Sequence, residues 1–287
     1  MSGDIKTAVI IVLYYPDVAM LTDTIAAVQS AAAQVILADN TPSPDYNENL
    51  QLPGCVRLNM GGNAGIATAQ AEAITHAAKL GATHILLLDQ DSLVYPGFLE
   101  KMEREYVRLE ATGEKIFALA PTIINTRSGE AGKALLEKDI SNADGFIGRR
   151  QLISSGSFLS MTAVHEVGLP DRRLFIDYVD FEWCWRAAGF GFKCFYTSRV
   201  ELEHAVGAGD VVVGKHRWVI SAPERYFYQF RNYFWLRRRD YVPVSWKRRT
   251  FLRMVFYFVC LPWGRPRAAC YWRNMWLGAC AGLKQSG

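Results

Sequence analysis

Residues 84–92 read HILLLDQDS, an unbroken apolar run that ends abruptly in two carboxylates and two further polar side chains. A run that is apolar at every position, instead of at alternate ones, is what a strand needs when helices cover both faces of its sheet. Two more such runs precede it, Ala8–Leu13 and Gln34–Ala38, with helical patterns between them near Val18–Ala32 and from Gly65 to Leu80. Strand, helix, strand, helix, strand is the order of a parallel α/β sheet, whose ligands bind at the carboxyl ends of the strands. All three ends are polar: Tyr14-Tyr15-Pro16-Asp17, Asp39-Asn40 and Asp89-Gln90-Asp91-Ser92. They are expected to converge on one crevice.

Downstream, the pattern predicts a helix over Pro96–Glu110, a strand at Ile116–Pro121, and a loop rich in Gly, Ser and charge at Asn125–Arg150. Strand-like residues follow at Ile153–Met161, a turn at Gly168-Leu169-Pro170-Asp171, an aromatic-acidic helix start at Phe175–Arg186, and strand-like residues again at Phe192–Tyr196. Beyond Pro223 the composition shifts to aromatic and basic helices. The expected division is a sheet domain at 1–222 and a helical region at 223–287.

The bulk composition fits a folded globular chain: 287 residues, 50% hydrophobic and 21% charged. Six cysteines form no Cys-x-x-Cys pair and no zinc spacing, which points to a reducing, cytoplasmic compartment. The first apolar run has no cleavage site after it and reads as a strand, not a signal peptide. The longest apolar stretch, Met254–Trp263, is about half the length a membrane span requires and is broken by Pro262. Between Arg237 and Arg273 ten Lys/Arg stand against one acid, Asp240. With Trp246, Phe251, Phe256, Trp263, Trp272 and Trp276 between the cations, this region has the composition of helices lying on an anionic membrane. A protein interface or plain core can use the same residues. No nucleic-acid motif accompanies the charge, so nucleic acid is not an expected partner.

Several residues have both a chemical and a structural reading. Asp89 and Asp91 suit a magnesium-like ion, which takes one or two carboxylates and fills its remaining positions with water and phosphate oxygens; equally, Asp91 or Ser92 can cap the turn into the next helix. Asp39 sits where an acid contacts a ribose hydroxyl or a base N–H, or closes an Asx-turn before Thr41-Pro42. Gly61-Gly62-Asn63-Ala64-Gly65 opens a helix whose N–H groups can approach a phosphate. A dehydrogenase glycine fingerprint would look similar, but the glycines lie after the second predicted strand and no Tyr-x-x-x-Lys pair exists. Asp177, Asp180 and Glu182 stand among aromatic residues. A carboxyl in such surroundings has a raised pKa, which suits a general base, while Glu182 can pair with Arg186 at i,i+4. His204 is either a metal or diphosphate contact or a structural histidine. Arg225, Arg231 and Asn232 can clamp a phosphate or face an interface.

In their order these segments resemble family 2 glycosyltransferases, and among them the rhamnosyltransferases of bacterial surface polysaccharide synthesis. The carriers are Tyr14–Asp17, Ala38-Asp39-Asn40, Asn63–Ala67, Leu88–Ser92, Ser155-Gly156-Ser157, Val167-Gly168, Phe175–Arg186 and His204–Gly207. The resemblance implies a GT-A fold, with a mostly parallel central sheet flanked by helices. It also implies an inverting transfer from a nucleotide sugar, dTDP-L-rhamnose, to a saccharide or lipid-linked acceptor. By that likeness Asp180 is the catalytic base, and Asp89, Asp91 and His204 form the shell of Mg²⁺ or Mn²⁺. Tyr14, Asp39, Asn63, Gly65, Asp89, Gln90 and Arg231 then contact the donor. Ala71 and the Gly61-Gly62 pair depart from the family pattern. A sugar nucleotidyltransferase is the alternative enzyme class.

Overall fold

In the computed structural model β1 (Thr7–Leu13) pairs in parallel with β2 (Gln34–Asp39) on one side and β4 (His84–Asp89) on the other. Leu13 lies opposite Asp39 and Val12 opposite Asp89, so the two acids flank the end of one buried strand. The structure describes residues 5–29, 34–43, 52–125, 140–141, 145–204, 210–213, 216–263 and 267–284. α1 (Val18–Val28) and α2 (Ile66–Lys79) are the crossovers. Asp17 caps α1 by accepting from the N–H groups of Ala19 and Met20. Alternate β1 residues go to opposite faces: Ala8 and Ile10 pack under α2, while Val9, Ile11 and Leu13 pack under α1 and α3 (Phe98–Glu110). Each large aliphatic side chain buried this way contributes about 1.5–3 kcal/mol relative to exposure. On α2 the sheet-facing positions are small, with Ala69, Ala73 and Ala77 buried against Ile36 and Ala38. Ala71, one of the departures from the family pattern, is itself fully buried.

β3 (Cys55–Asn59) adds a parallel strand outside β2 that the sequence pattern did not predict, so the Gly61-Gly62 segment follows the third strand and not the second. The remaining strands are β5 (Ser92–Leu93), β6 (Ile116–Asn125), β7 (Ile140–Ser141), β8 (Phe146–Arg149), β9 (Phe158–Ser160) and β10 (Lys193–His204). Together they complete a ten-stranded sheet in the order β3-β2-β1-β4-β9-β6-β10-β8-β7, with β5 on β10. β9 runs antiparallel between β4 and β6. The stretch Ile153–Met161 is therefore strand only at Phe158–Ser160, because Ser160 caps α4 (Met161–Val167) and turns the chain into a helix. β10 outruns the predicted Phe192–Tyr196 by crossing an irregularity between Thr197 and Glu201. Within the predicted Asn125–Arg150 loop, β7 and β8 are strands, while residues 126–139 and 142–144 lie outside the described residues, as do the end of the predicted first helix and residues 205–207. β11 (Asp210–Val213) and β12 (His216–Val219) form a separate hairpin. The helix predicted from Pro96 begins at Phe98 and is capped by left-handed Gly97, so neither Asp91 nor Ser92 serves as its cap.

α5 (Val179–Gly189) is followed, after β10 and the hairpin, by α6 (Arg225–Leu236), α7 (Val244–Cys260) and α8 (Ala268–Lys284). These C-terminal helices share a core with the preceding part of the chain: Ala67, Leu174, Val179 and Trp185 pack with Tyr226, Phe230, Trp246 and Met275. The division at 222/223 therefore cuts through one hydrophobic cluster. Gly278 and Gly282 let α8 lie directly on α6, since a Cβ at either would meet backbone atoms of Phe227 or Arg231. Among the described residues no helix is long and apolar enough to cross a membrane.

Candidate active site

The crevice is built at the carboxyl ends of β1, β2 and β4. Gln90 ties two of these ends together: its Oε1 accepts from Tyr14 N–H at 2.7 Å and its Nε2 donates to Tyr14 O at 3.0 Å. Ser92, fully buried, closes the Asp89–Ser92 turn by accepting from Asp89 N–H at 3.1 Å, and its hydroxyl meets Ser155 Oγ at 2.7 Å. Asp89, Gln90 and Asp91 remain partly exposed at the mouth. At the second strand end Asp39 is 3% exposed; it accepts from Thr41 N–H at 3.1 Å and from Arg57 at 2.6 and 3.0 Å. The Asx-turn is therefore present. So is a cation on β3 that the sequence reading missed, because CVRLN carries no continuous apolar run.

Asn63 forms a small amide network: its Oδ1 accepts from Asn40 Nδ2 at 3.0 Å and from Gly65 N–H at 3.1 Å, while Asn40 Oδ1 accepts from Ala64 N–H at 2.7 Å. Gly65 (φ +85°) abuts Phe175 so closely that a Cβ would lie 2.5 Å from its ring. The N–H of Ala67 is taken by Phe175 O at 3.2 Å. The glycine at this helix start thus makes room for an aromatic ring of the chain itself.

That ring belongs to the segment that delivers Asp180. Phe175, Asp177 and Tyr178 all have positive φ, at 63°, 68° and 65°. Each such non-glycine residue costs on the order of 1–3 kcal/mol, a strain that surrounding contacts must hold. Asp177 is gripped by Arg225 through three contacts of 2.9–3.1 Å, and the Tyr178 hydroxyl accepts from Arg253 at 3.1 Å. Burial pushes Tyr178 up to about 12. Asp180 then falls in the first turn of α5, where its Oδ1 accepts from Phe181 N–H at 2.9 Å. Desolvation first, and the nearby negative charge of Asp89 second, raise its carboxyl to about 7, against the backbone N–H groups of Phe181 and Ser154 that lower it. The Asp180 carboxyl thus feels the charge of Asp89 and meets the N–H of Ser154.

The other acids of this segment have structural partners. Glu182 is fully buried and accepts from Arg186, Arg239 and the Tyr241 hydroxyl at 2.6–3.1 Å. The i,i+4 pairing expected from the sequence is present. Arg239 also reaches Asp171, so it is an internal tether and not part of a free basic surface. Arg231 donates to the carbonyls of Arg173 and Leu174 at 2.8 and 3.0 Å and packs over the rings of Tyr228 and Trp235. These contacts join α6 to the 173–174 segment within the chain. The backbone of His204 pairs with Ser92, one residue from Asp91.

Asp89 and Asp91 offer hard oxygen donors at a solvent-reachable mouth, which fits a small divalent ion completing its shell with phosphate and water. Among the described residues no three His, Cys, Asp or Glu side chains group closely enough to hold an ion by themselves. A cavity of about 1190 Å³ lies elsewhere, between the far side of α5, β8 and residues 240–249, and Asp89, Asp91 and Asp180 do not line it.

The parallel strands bring Tyr14, Asp39 and Asp89 to one edge of an α/β sheet. Solved structures agree on the fold: S. aureus TarS 1–349 in complex with UDP-GlcNAc superposes with a TM-score of 0.55 at 11% identity, over 94% of this chain and 79% of that one. A second TarS 1–349 structure gives 0.51 at 10% identity, over 98% and 81%. No family model matches the sequence. Over 244 residues the chain is 30% identical to the dTDP-rhamnosyl transferase RfbF of Shigella flexneri, covering 82% of this chain and 81% of that protein. It belongs to the same family, the family 2 glycosyltransferases.

Proposed function

We propose that the protein transfers L-rhamnose from dTDP-L-rhamnose to a hydroxyl of a saccharide or lipid-linked acceptor, with inversion. The mechanism rests on Asp180 in the first turn of α5, a carboxyl that burial raises to about 7 and that feels the charge of Asp89. A base poised near neutral pH takes the acceptor proton as the acceptor oxygen bonds to C1 and the C1–O bond to dTDP breaks. Asp89 and Asp91, with His204 beside them in the strand pairing, are the residues that would hold Mg²⁺ or Mn²⁺. A bound divalent ion would supply charge stabilisation for the departing diphosphate. Asp39, oriented by Arg57, faces the nucleoside, and Gln90 keeps Tyr14 and the Asp89 turn in register. The donor identity rests on the RfbF relationship. A screen for release of dTDP, UDP and GDP from their sugars, with Mg²⁺ or Mn²⁺ present, is expected to find turnover with dTDP-L-rhamnose. Turnover confined to UDP or GDP sugars would refute the donor, and pyrophosphate release from NTP plus sugar phosphate would refute the class.

The C-terminal helices support an acceptor held at an anionic membrane surface. Residues 241–287 contain no acid, and Leu252, Trp263 and Trp276 are 67%, 72% and 62% exposed. Apolar side chains among cations on helix faces fit the interface of an anionic bilayer. Flotation with phosphatidylglycerol vesicles should carry the wild type and lose a Leu252→Glu/Trp276→Glu variant. Equal flotation of the two, or none by either, would remove the membrane.

A further inference from the structure

α6 presents Arg225, Tyr228 and Asn232 at i, i+3 and i+7, which is one face of a helix, to the strained segment 174–178. Tyr228 stacks on Phe175 at 4.5 Å between centroids. Asn232 is fully buried, and its Nδ2 donates to three carbonyls of that segment: Leu174 at 2.9 Å, Ile176 at 2.8 Å and Asp177 at 3.1 Å. Its Oδ1 accepts from Arg231 at 3.0 and 3.1 Å, which fixes the amide orientation. One amide group therefore holds the backbone on both sides of Ile176, in a stretch where three non-glycine residues have positive φ. Asp180 lies two residues beyond the last of them, in the helix turn that the segment launches. α6 in turn is seated on α8 through Gly278 and Gly282.

We propose that Asn232 is a positioning residue of the transfer reaction: it holds segment 174–178 in its left-handed path and so sets where the Asp180 carboxyl stands relative to the acceptor hydroxyl. The inference rests on Asp180 being the base. A base displaced by an ångström loses its hydrogen-bond reach to the acceptor, whereas the donor is held by residues on β1, β2 and β4 that Asn232 does not touch. The clamp comes from the C-terminal helices, so the base is located by a part of the chain distant in sequence from the donor-binding strands.

The test is a double-mutant cycle with purified full-length protein, measuring kcat and donor KM. Asn232→Ala is expected to lower kcat by about 30–100-fold with donor KM changed less than about 2-fold. In the Asp180→Asn background the same substitution should cost less than about 3-fold, because a residue acting only through the base has nothing left to position. A general structural defect would instead multiply the two losses. Arg225→Ala, which releases Asp177 from the partly exposed side, repeats the cycle if Asn232→Ala does not fold. Unchanged kcat in the single clamp variant, or an equal fold-loss in both backgrounds, overturns the positioning role while the base assignment stands. Full activity of Asp180→Asn removes the base, and this proposal with it.

Discussion

Asp180→Asn is expected to abolish most turnover and, in the same protein, to raise its melting temperature. General-base catalysis contributes about 10²–10⁴-fold, and asparagine cannot accept the proton, so kcat should fall at least about 100-fold. The gain in stability follows from linkage. Asp180 titrates near 7 in the folded chain against an ordinary aspartate value of 3.8. Below about pH 4 the carboxyl is protonated in both states and carries no penalty. Between 4 and 7 the folded state binds the extra proton, so stability falls as pH rises, and above 7 the full penalty stands. Measured without divalent ions, the variant should exceed the wild type by about 2–4 kcal/mol at pH 8 and match it near pH 4. The wild-type kcat should rise with pH through an apparent pKa near 7, a limb that the variant's residual activity lacks. A variant retaining activity would reassign the base. A variant less stable at pH 8 would mean that the carboxyl is not desolvated as described.

The parts legible in the sequence were those with an unambiguous period. The runs of β1, β2 and β4 are apolar because two helical layers cover them, and their ends located Asp39, Asp89 and Asp91 without any three-dimensional information. β3 was invisible for the opposite reason: an outer strand with half-buried positions admits Arg57 and Asn59, and such a pattern looks like loop. β9 is three residues inserted between β4 and β6, a long-range pairing with no local signature. Positive φ at Phe175, Asp177 and Tyr178 runs against the preference of those residue types and is held by contacts from α6 and α7, so neither the strain nor the clamp could be read along the chain. The aromatic-acidic composition of 175–186 did mark the segment as unusual. It could not divide the work among its three acids, since Arg225 on Asp177 and Arg239 on Glu182 come from residues 48 and 57 positions away.

That division of work makes Glu182 the counterpart of Asp180. Both lie in the first turn of α5, yet Glu182 faces inward, fully buried, with Arg186, Arg239 and Tyr241 on its oxygens. Glu182→Ala strips two guanidinium groups of their shared carboxylate in a site largely closed to water. Breaking a buried pair in this way costs about 3–5 kcal/mol, because the charges left behind are not rehydrated. For a chain of this size the melting temperature should drop by roughly 6–15 °C. The loss belongs to a network, so Arg239→Ala added to Glu182→Ala should cost clearly less than the sum of the single variants. Activity per folded molecule should change only a few-fold, since Glu182 touches neither Asp89 nor the crevice mouth. The two substitutions therefore have opposite signatures: at Asp180 the fold gains and turnover is lost, at Glu182 the fold is lost and turnover per folded molecule persists. Thermal melts and single-turnover rates on the two variants would expose any exchange of those roles, and an exchange would place the proton transfer at Glu182 instead.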